Sequence, residues 1–189
     1  SGSLKDVVLG FNDFNNYYEN NPYFGAIIGR YGNRISNGTF LLDGVRYELE
    51  QNNGPNSLHG GLVGFDKVFW KFVEEKSNNQ SLYFEYFSKD MEEGFPGNLV
   101  VGVEYILNDS NELKIKYTAS TDKKTIINLT QHSYFNLSGE SSGDILDHIL
   151  NIDAEYYLPV NENMIPHGPY EKVESTPFDF NIPKKIGLD

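Results

Sequence analysis

The alternation of apolar and polar residues with a period of two is the feature that most restricts how this chain can fold. It runs through residues 82–88, 99–107 and 113–119, and short polar turns separate the runs. Successive side chains of a β-strand point to opposite faces, so this pattern predicts strands that bury one face. Only the tyrosine-rich residues 11–20 could form a short helix. We therefore predict an all-β fold, either a sandwich or a barrel.

The Asp43-Gly44 dipeptide gives the clearest local prediction. It lies between the alternating residues 39–42 and 45–49. Both of its residues tolerate the positive φ that a type I′ turn requires, so the pattern predicts a β-hairpin. Further strands are predicted at residues 68–74, 125–130 and 148–154.

Length and proline content describe how the strands should be organised. The chain has 189 residues, which suits one all-β domain, and no repeat or low-complexity linker divides it. Residues 156–189 contain five prolines, each of which removes a backbone donor. We expect residues 1–189 to form a single β-sandwich domain that this last segment wraps as extended loop.

Charge and cysteine content exclude several classes of partner. The formal net charge is −12, which repels nucleic acid and acidic lipid, whereas a neutral small molecule is indifferent to it. There is no cysteine, and hence no disulfide or thiolate chemistry. No stretch approaches the roughly 20 apolar residues of a membrane helix. We expect a cytoplasmic protein that binds neither nucleic acid nor membrane.

Two histidines lie in unusual settings. His59 precedes Gly60 and Gly61 in a run of turn-forming residues, and His132 ends an apolar strand ahead of Tyr134. Amides, hydroxyls and aromatic rings surround both, which suits a polyhydroxylated, uncharged ligand. An imidazole can also give or take a proton near neutral pH. Alternation would place His132, Tyr134 and the amide at 136 on one face of a sheet. Each histidine could instead be a structural residue bonded to the backbone.

Arginines and glycines at residues 25–35 allow two interpretations. Arg30 and Arg34 could bind sugar oxygens or carboxylates, or they could lie on a solvated strand edge. The spacing of a phosphate-binding loop is absent, so nucleotide binding is rejected.

The remaining candidate groups give weaker indications. Asp147-His148 and the isolated His167 lack metal-ligand spacing, so we predict neither a metal nor another cofactor. The acidic loop at residues 92–98 could cap a site or form a surface turn.

Taken together, nine stretches resemble the galactose mutarotase (aldose 1-epimerase) family, in the family's order. They include LHGG at residues 58–61 and TQHSYFNL at residues 130–137. The full set comprises residues 5–11, 21–30, 33–35, 52–56, 58–61, 64–67 with Trp70, 95–99, 130–137 and 176–180. The resemblance implies a large antiparallel β-sandwich, the galactose mutarotase-like supersandwich, whose concave face binds a pyranose.

The resemblance also implies an activity and a set of site residues. Members interconvert the α and β anomers of hexoses such as galactose and glucose. An imidazole protonates the ring oxygen while a carboxylate removes the proton of the C1 hydroxyl. By position His132 would be the general acid. His59 and Arg34 would hydrogen-bond the sugar, with Asn33 and Tyr134 beside them.

The chain departs from the family pattern in its extent. Family members are longer, and their catalytic glutamate and a sugar-binding aspartate lie at positions beyond Asp189. The strands that precede Leu4 in the family are missing as well. We therefore expect the central portion of a mutarotase, an incomplete sandwich that a second chain or segment completes. Alone it should be nearly inactive.

Two other functions stay open at this point. One is a hexose-6-phosphate 1-epimerase of the same superfamily, which would need basic residues beyond Arg30 and Arg34. The other is a non-catalytic sugar-binding or regulatory module that kept His59 and Arg34 but lost the base.

Overall fold

The computed structural model describes residues 4–18 and 21–188 of the chain, and it is built from strands. The strands are β1 (Ile27–Ile28), β2 (Arg34–Ile35), β3 (Thr39–Leu42), β4 (Val45–Glu48), β5 (Ser57–Leu58), β6 (Lys71–Phe72), β7 (Ser81–Ser88), β8 (Leu99–Leu107), β9 (Leu113–Thr121), β10 (Thr130–Gln131), β11 (Ile149–Leu150), β12 (Tyr156–Tyr157), β13 (Glu171–Lys172) and β14 (Lys184–Lys185). Short 3₁₀ helices lie at Phe14–Tyr17, Ser36–Gly38, Glu74–Lys76, Glu92–Gly94 and Ile186–Leu188. Within the described ranges no α-helix forms, and the all-β prediction is confirmed.

The chain divides into two compact units. One unit is Ala26–His132, and the other combines the described residues up to Gly25 with those from Ser133 onward. The first unit holds an antiparallel four-stranded sheet in the order β6-β7-β8-β9, and the pairs β1–β10, β2–β5 and β3–β4. The second unit holds the antiparallel pairs β11–β14 and β12–β13. A single domain over residues 1–189 stays a prediction.

The core of the first unit lies under one face of β8. Leu99, Val101 and Val103 are alternate residues of that strand, and all three are fully buried together with Phe65. Val100 points the other way and is 37% exposed. The side chains of Leu99, Val101 and Val103 thus share one buried face, as the period of two predicts.

The hairpin of β3 and β4 forms as predicted. Asp43 and Gly44 have φ values of 50° and 79°, the two positive values of a type I′ turn. Leu42 pairs with Val45 next to the turn.

Three predicted strands are shorter than the sequence pattern indicated. Residues 125–130 contribute only Thr130 to a strand. Asn128 makes an isolated parallel bridge to Tyr31: its N–H donates to Arg30 O at 2.9 Å, and its carbonyl accepts from Gly32 N at 2.7 Å. The strand predicted at 68–74 reduces to β6. After Phe72 the chain turns into a 3₁₀ helix, where Val73 O accepts from Ser77 Oγ. The prediction at 148–154 reduces to β11.

The helix considered at residues 11–20 is a single 3₁₀ turn, Phe14–Tyr17. Asp13 caps it by accepting from the Asn15 N–H at 2.9 Å. Residues 19 and 20 lie outside the described residues.

The proline-rich segment from residue 156 contains the two-residue strands β12, β13 and β14 and the 3₁₀ helix Ile186–Leu188 between irregular stretches. That it wraps the sandwich stays a prediction. In the part of the chain that the structure describes, no helix has the length and apolarity needed to span a bilayer.

Candidate functional site

Strands β2 and β5 bring Asn33, Arg34 and His59 together. Arg34 pairs with Leu58 in this antiparallel ladder. Just past the ladder, the His59 N–H donates to Asn33 O at 3.1 Å. Both residues adopt positive φ, 67° for Asn33 and 54° for His59. Because L-residues avoid this region, the hydrogen bonds around the pair must hold it there.

A backbone hydrogen bond sets the protonation state of the His59 ring. The Asn33 N–H donates to His59 Nδ1 at 3.0 Å. A backbone amide can only donate, so Nδ1 carries no proton and the neutral ring carries it on Nε2. Burial lowers the pKa of His59 to about 4, and the charges of His132 and Arg34 act in the same direction.

His132 lies directly after β10 and faces His59. The His132 N–H donates to Ala26 O at 2.9 Å, which continues the β1–β10 ladder by one bond. Its half-buried ring stands at 87° to the His59 ring, with 5.1 Å between the centroids. The first unit thus contains a perpendicular pair of imidazoles beside Arg34.

Arg34 is oriented by amide oxygens. Its Nε donates to Asn53 Oδ1 at 2.9 Å, and its Nη1 donates to Asn33 Oδ1 at 3.3 Å. Both acceptors are uncharged amide oxygens, so these two bonds orient the guanidinium without bringing a negative charge to it.

Arg30 does not join this group, and neither of its two sequence interpretations is correct. It is 2% exposed. Its guanidinium donates to Ser88 Oγ at 2.8 Å and to three backbone carbonyls, those of Pro96 at 2.9 Å, Ser88 at 3.1 Å and Lys89 at 2.7 Å. Burial lowers the pKa of Arg30, and the carboxylates of Glu92 and Asp90 oppose that effect. Arg30 is therefore a structural residue that holds the loop after β7.

The acidic loop at residues 92–98 binds backbone next to the site. Glu92 accepts from Tyr86 OH at 2.7 Å and from Ser88 Oγ. Glu93 accepts from the backbone N–H groups of Leu62 at 2.8 Å and Val63 at 3.1 Å. Instead of capping a site or forming a plain surface turn, the loop holds the backbone that follows His59.

Tyr134 belongs to the other unit. Its ring packs against Phe24, with 5.3 Å between the centroids and a 71° angle between the planes, and the residue is 40% exposed. The predicted row of residues 132, 134 and 136 does not form as a strand face, because β10 ends at Gln131. Asn136 is 2% exposed and serves a local turn: it donates to Gly143 O and accepts from the Ser138 N–H, both at 3.0 Å.

The other acidic and histidine residues considered from the sequence have local structural contacts. His148 Nε2 accepts from the Leu137 N–H at 2.9 Å, and Asp147 pairs with Lys185 at 2.7 Å. Across residues 4–18 and 21–188 no group of three His, Cys, Asp or Glu side chains is placed to hold a metal ion.

One residue at the site went unnoticed in the sequence. Asn52 donates through Nδ2 to Leu58 O at 2.9 Å and to Gly61 O at 2.7 Å, and its Oδ1 accepts from the Leu58 N–H at 2.7 Å. These bonds bracket His59. No sequence signal distinguishes Asn52 from the other asparagines of the same turn-rich run.

Comparison with known proteins identifies the class of fold. A solved structure of the GalM/aldose epimerase homologue from C. elegans superimposes with a TM-score of 0.90 at 33% identity, covering 96% of this chain and 55% of that one. The predicted antiparallel β-sandwich of the galactose mutarotase type is thereby confirmed.

Sequence comparison gives the family. The aldose 1-epimerase family model matches residues 1–189. The galactose mutarotase of Sus scrofa is 48% identical over 186 residues, which make up 98% of this chain and 53% of that protein. The aldose 1-epimerase of Escherichia coli (strain K12) is 43% identical over 188 residues, 100% of this chain and 54% of that protein. The chain belongs to the aldose 1-epimerase family, and it spans about half the length of these relatives.

Proposed function

We propose that the protein containing this chain is an aldose 1-epimerase that interconverts the α and β anomers of hexoses such as galactose and glucose. The main support is the perpendicular pair of imidazole rings of His59 and His132 beside Arg34, in a chain of this family. Their ring centroids lie 5.1 Å apart. The relatives named galactose mutarotase and aldose 1-epimerase support the same reaction.

The reaction needs an acid and a base at two oxygens of one carbon. The acid protonates the ring oxygen as the C1–O5 bond breaks, and a base takes the proton of the C1 hydroxyl, whose oxygen becomes the aldehyde carbonyl. Rotation about C1–C2 and reclosure on the other face give the other anomer. The acid and the base recover their original protonation states in the closing step, so the cycle balances.

We assign His132 as the general acid, because its imidazole directly follows β10 and faces the ring of His59. His59 has its proton on Nε2, so it would serve as a hydrogen-bond donor to a sugar oxygen. Arg34 and Asn33 would bind hydroxyl groups, since guanidinium and amide groups match them well. Tyr134 is proposed as a further sugar-binding residue. The base would be a carboxylate, which we assign to no residue of this chain.

Arg30 bears on the hexose-phosphate alternative. Its guanidinium is buried against backbone carbonyls, so it offers no charge to a phosphate. This observation favours an uncharged hexose as the substrate.

The test is polarimetry of freshly dissolved α-galactose with the full-length gene product. His132→Gln should lower kcat by roughly 10²–10⁴-fold, the usual worth of a general acid, while sugar affinity stays within about threefold. His167→Gln is the matched control, because that histidine is exposed. A His132→Gln variant with an unchanged rate would remove the acid role, and a wild-type protein without activity would favour a sugar-binding module.

Two further proposals concern the setting of the protein. We place it in the cytoplasm, because the chain contains no cysteine to form disulfides. We also propose that a second chain or segment completes the sandwich, which the greater length of the relatives supports.

A further inference from the structure

We propose that Asn52 is a positioning residue: its side-chain amide fixes the turn that carries His59, so that the ring accepts the Asn33 N–H at Nδ1 and presents Nε2–H as a donor to a sugar oxygen. The sugar in this statement rests on the proposed function. The positioning of the ring does not, and it can be measured without turnover.

The amide of Asn52 uses both its donor and its acceptor functions on the backbone around His59. Nδ2 donates to the carbonyls of Leu58 and Gly61 at 2.9 and 2.7 Å, while Oδ1 accepts from the Leu58 N–H at 2.7 Å. Leu58 precedes His59, and Gly61 lies two residues after it. The amide therefore fixes both ends of the turn, which an aliphatic or a carboxylate side chain could not do.

The turn needs this support because its backbone is confined. His59 has a φ of 54°, in the left-handed region that L-residues avoid. A Cβ on Gly60 would lie 1.8 Å from Gly29 O, and one on Gly64 would lie 2.6 Å from His59 O. The segment is thus pressed against neighbouring backbone, and Asn52 and Glu93 supply side-chain bonds that keep it there.

The position of the turn at residues 58–61 determines which nitrogen of the His59 ring carries the proton. The bond from the Asn33 N–H to Nδ1, 3.0 Å long, fixes the Nε2–H tautomer. The groups whose charge acts on the ring are His132 and Arg34, and both disfavour a second proton on it. A displaced turn would lose the Asn33 bond and allow the other tautomer and the protonated form. Asn52 therefore governs whether His59 is a fixed neutral donor.

The experiment reads the ring directly in the ¹⁵N-labelled full-length gene product. In the wild type, ring nitrogen shifts should report an unprotonated Nδ1 and a protonated Nε2 at pH 7, and titration should place the pKa of His59 near 4. Asn52→Ala should give a mixture of tautomers and move that pKa toward 6.5. It should also weaken galactose binding about tenfold at pH 7, because the ring then spends part of its time without a proton on Nε2.

Asn151→Ala is the matched control. Asn151 also donates through Nδ2 to two backbone carbonyls, those of Phe180 and Asn181, but in the other unit. This variant should leave the tautomer and the pKa of His59 as they are in the wild type, even where it lowers Tm by a similar amount.

A purely structural role for Asn52 would appear as a lowered Tm with the wild-type tautomer and pKa retained, and this would overturn the proposal. Should Asn52→Ala fail to fold, the unmutated protein still decides the matter. A proton on Nδ1, or side-chain amide protons of Asn52 that exchange as fast as those of exposed asparagines, would refute the assignment. If the tautomer shifts as expected while His132→Gln leaves mutarotation unchanged, only the proposed function falls.

Discussion

The lowered pKa of His59 makes a quantitative prediction for stability against pH. In the unfolded chain an imidazole titrates near 6.5, whereas the pKa of His59 is about 4 in the folded chain. Between these values the unfolded state binds more protons than the folded state. Stability is therefore fully retained above pH 6.5 and falls as the pH falls toward 4.

The size of the effect follows from the two pKa values. At pH 5.5 the unfolded imidazole is mostly protonated and His59 is mostly neutral, which corresponds to a loss of about 1.4 kcal/mol relative to pH 7.5. Solvent screens a half-buried ring, so we expect a loss between about 0.7 and 1.4 kcal/mol. His59→Gln removes the titrating group, while its side-chain oxygen can still accept the Asn33 N–H.

The assay is urea unfolding of the full-length gene product at pH 7.5 and pH 5.5. The free-energy difference between wild type and His59→Gln should change by that amount between the two pH values, in favour of the variant at pH 5.5. His167→Gln should follow the wild type, because that residue is exposed. If wild type and His59→Gln lose equal stability between the two pH values, folding does not lower the pKa of His59 and the reasoning fails.

Three substitutions and two matched controls test the packing of the first unit, each by urea unfolding. Arg30→Lys keeps the charge but leaves buried carbonyls without donors, and should cost roughly 3 kcal/mol; a loss below 1 kcal/mol would contradict the hydrogen-bond network. Val101→Ala should cost about 2 kcal/mol, and Val100→Ala, on the exposed face, less than about 1 kcal/mol; equal losses would contradict the burial pattern. Gly60→Ala should cost more than about 3 kcal/mol, because its Cβ has no room. Gly54→Ala, where a Cβ meets nothing, should cost about 1 kcal/mol, and similar losses for the two would contradict the close approach.

The sequence predicted best those strands that alternate and that pair with the next strand along the chain. The predicted bounds of 99–107 match β8, and the Asp43-Gly44 hairpin forms with its predicted turn. The sequence also predicts a strand at residues 125–129, which form only an isolated bridge between Asn128 and Tyr31. Asn128 bonds to the segment at residues 30–32, which is distant in sequence, and alternation does not encode which backbone a residue will meet.

The candidate site was predictable in its residue types but not in its geometry. His59, Arg34 and Asn33 meet because β2 pairs with β5, and turn chemistry made His59 noticeable beforehand. The protonation state of its ring depends on one backbone N–H, which no sequence pattern reports. For Arg30 the sequence prediction was wrong. An arginine among glycines suggested a ligand-binding group, but its long side chain is buried and bonds to main-chain oxygens.

Because three of the four acceptors of Arg30 are peptide carbonyls, the guanidinium recognises the course of the main chain and not the identity of the residues it touches. Side chains at position 89 can therefore drift during evolution at little cost, provided that the backbone keeps its route. An insertion or deletion between 88 and 96 would move those oxygens out of reach of a rigid fork of donors. In homologous chains the residue type at position 89 should therefore vary, while the number of residues between 88 and 96 is kept constant.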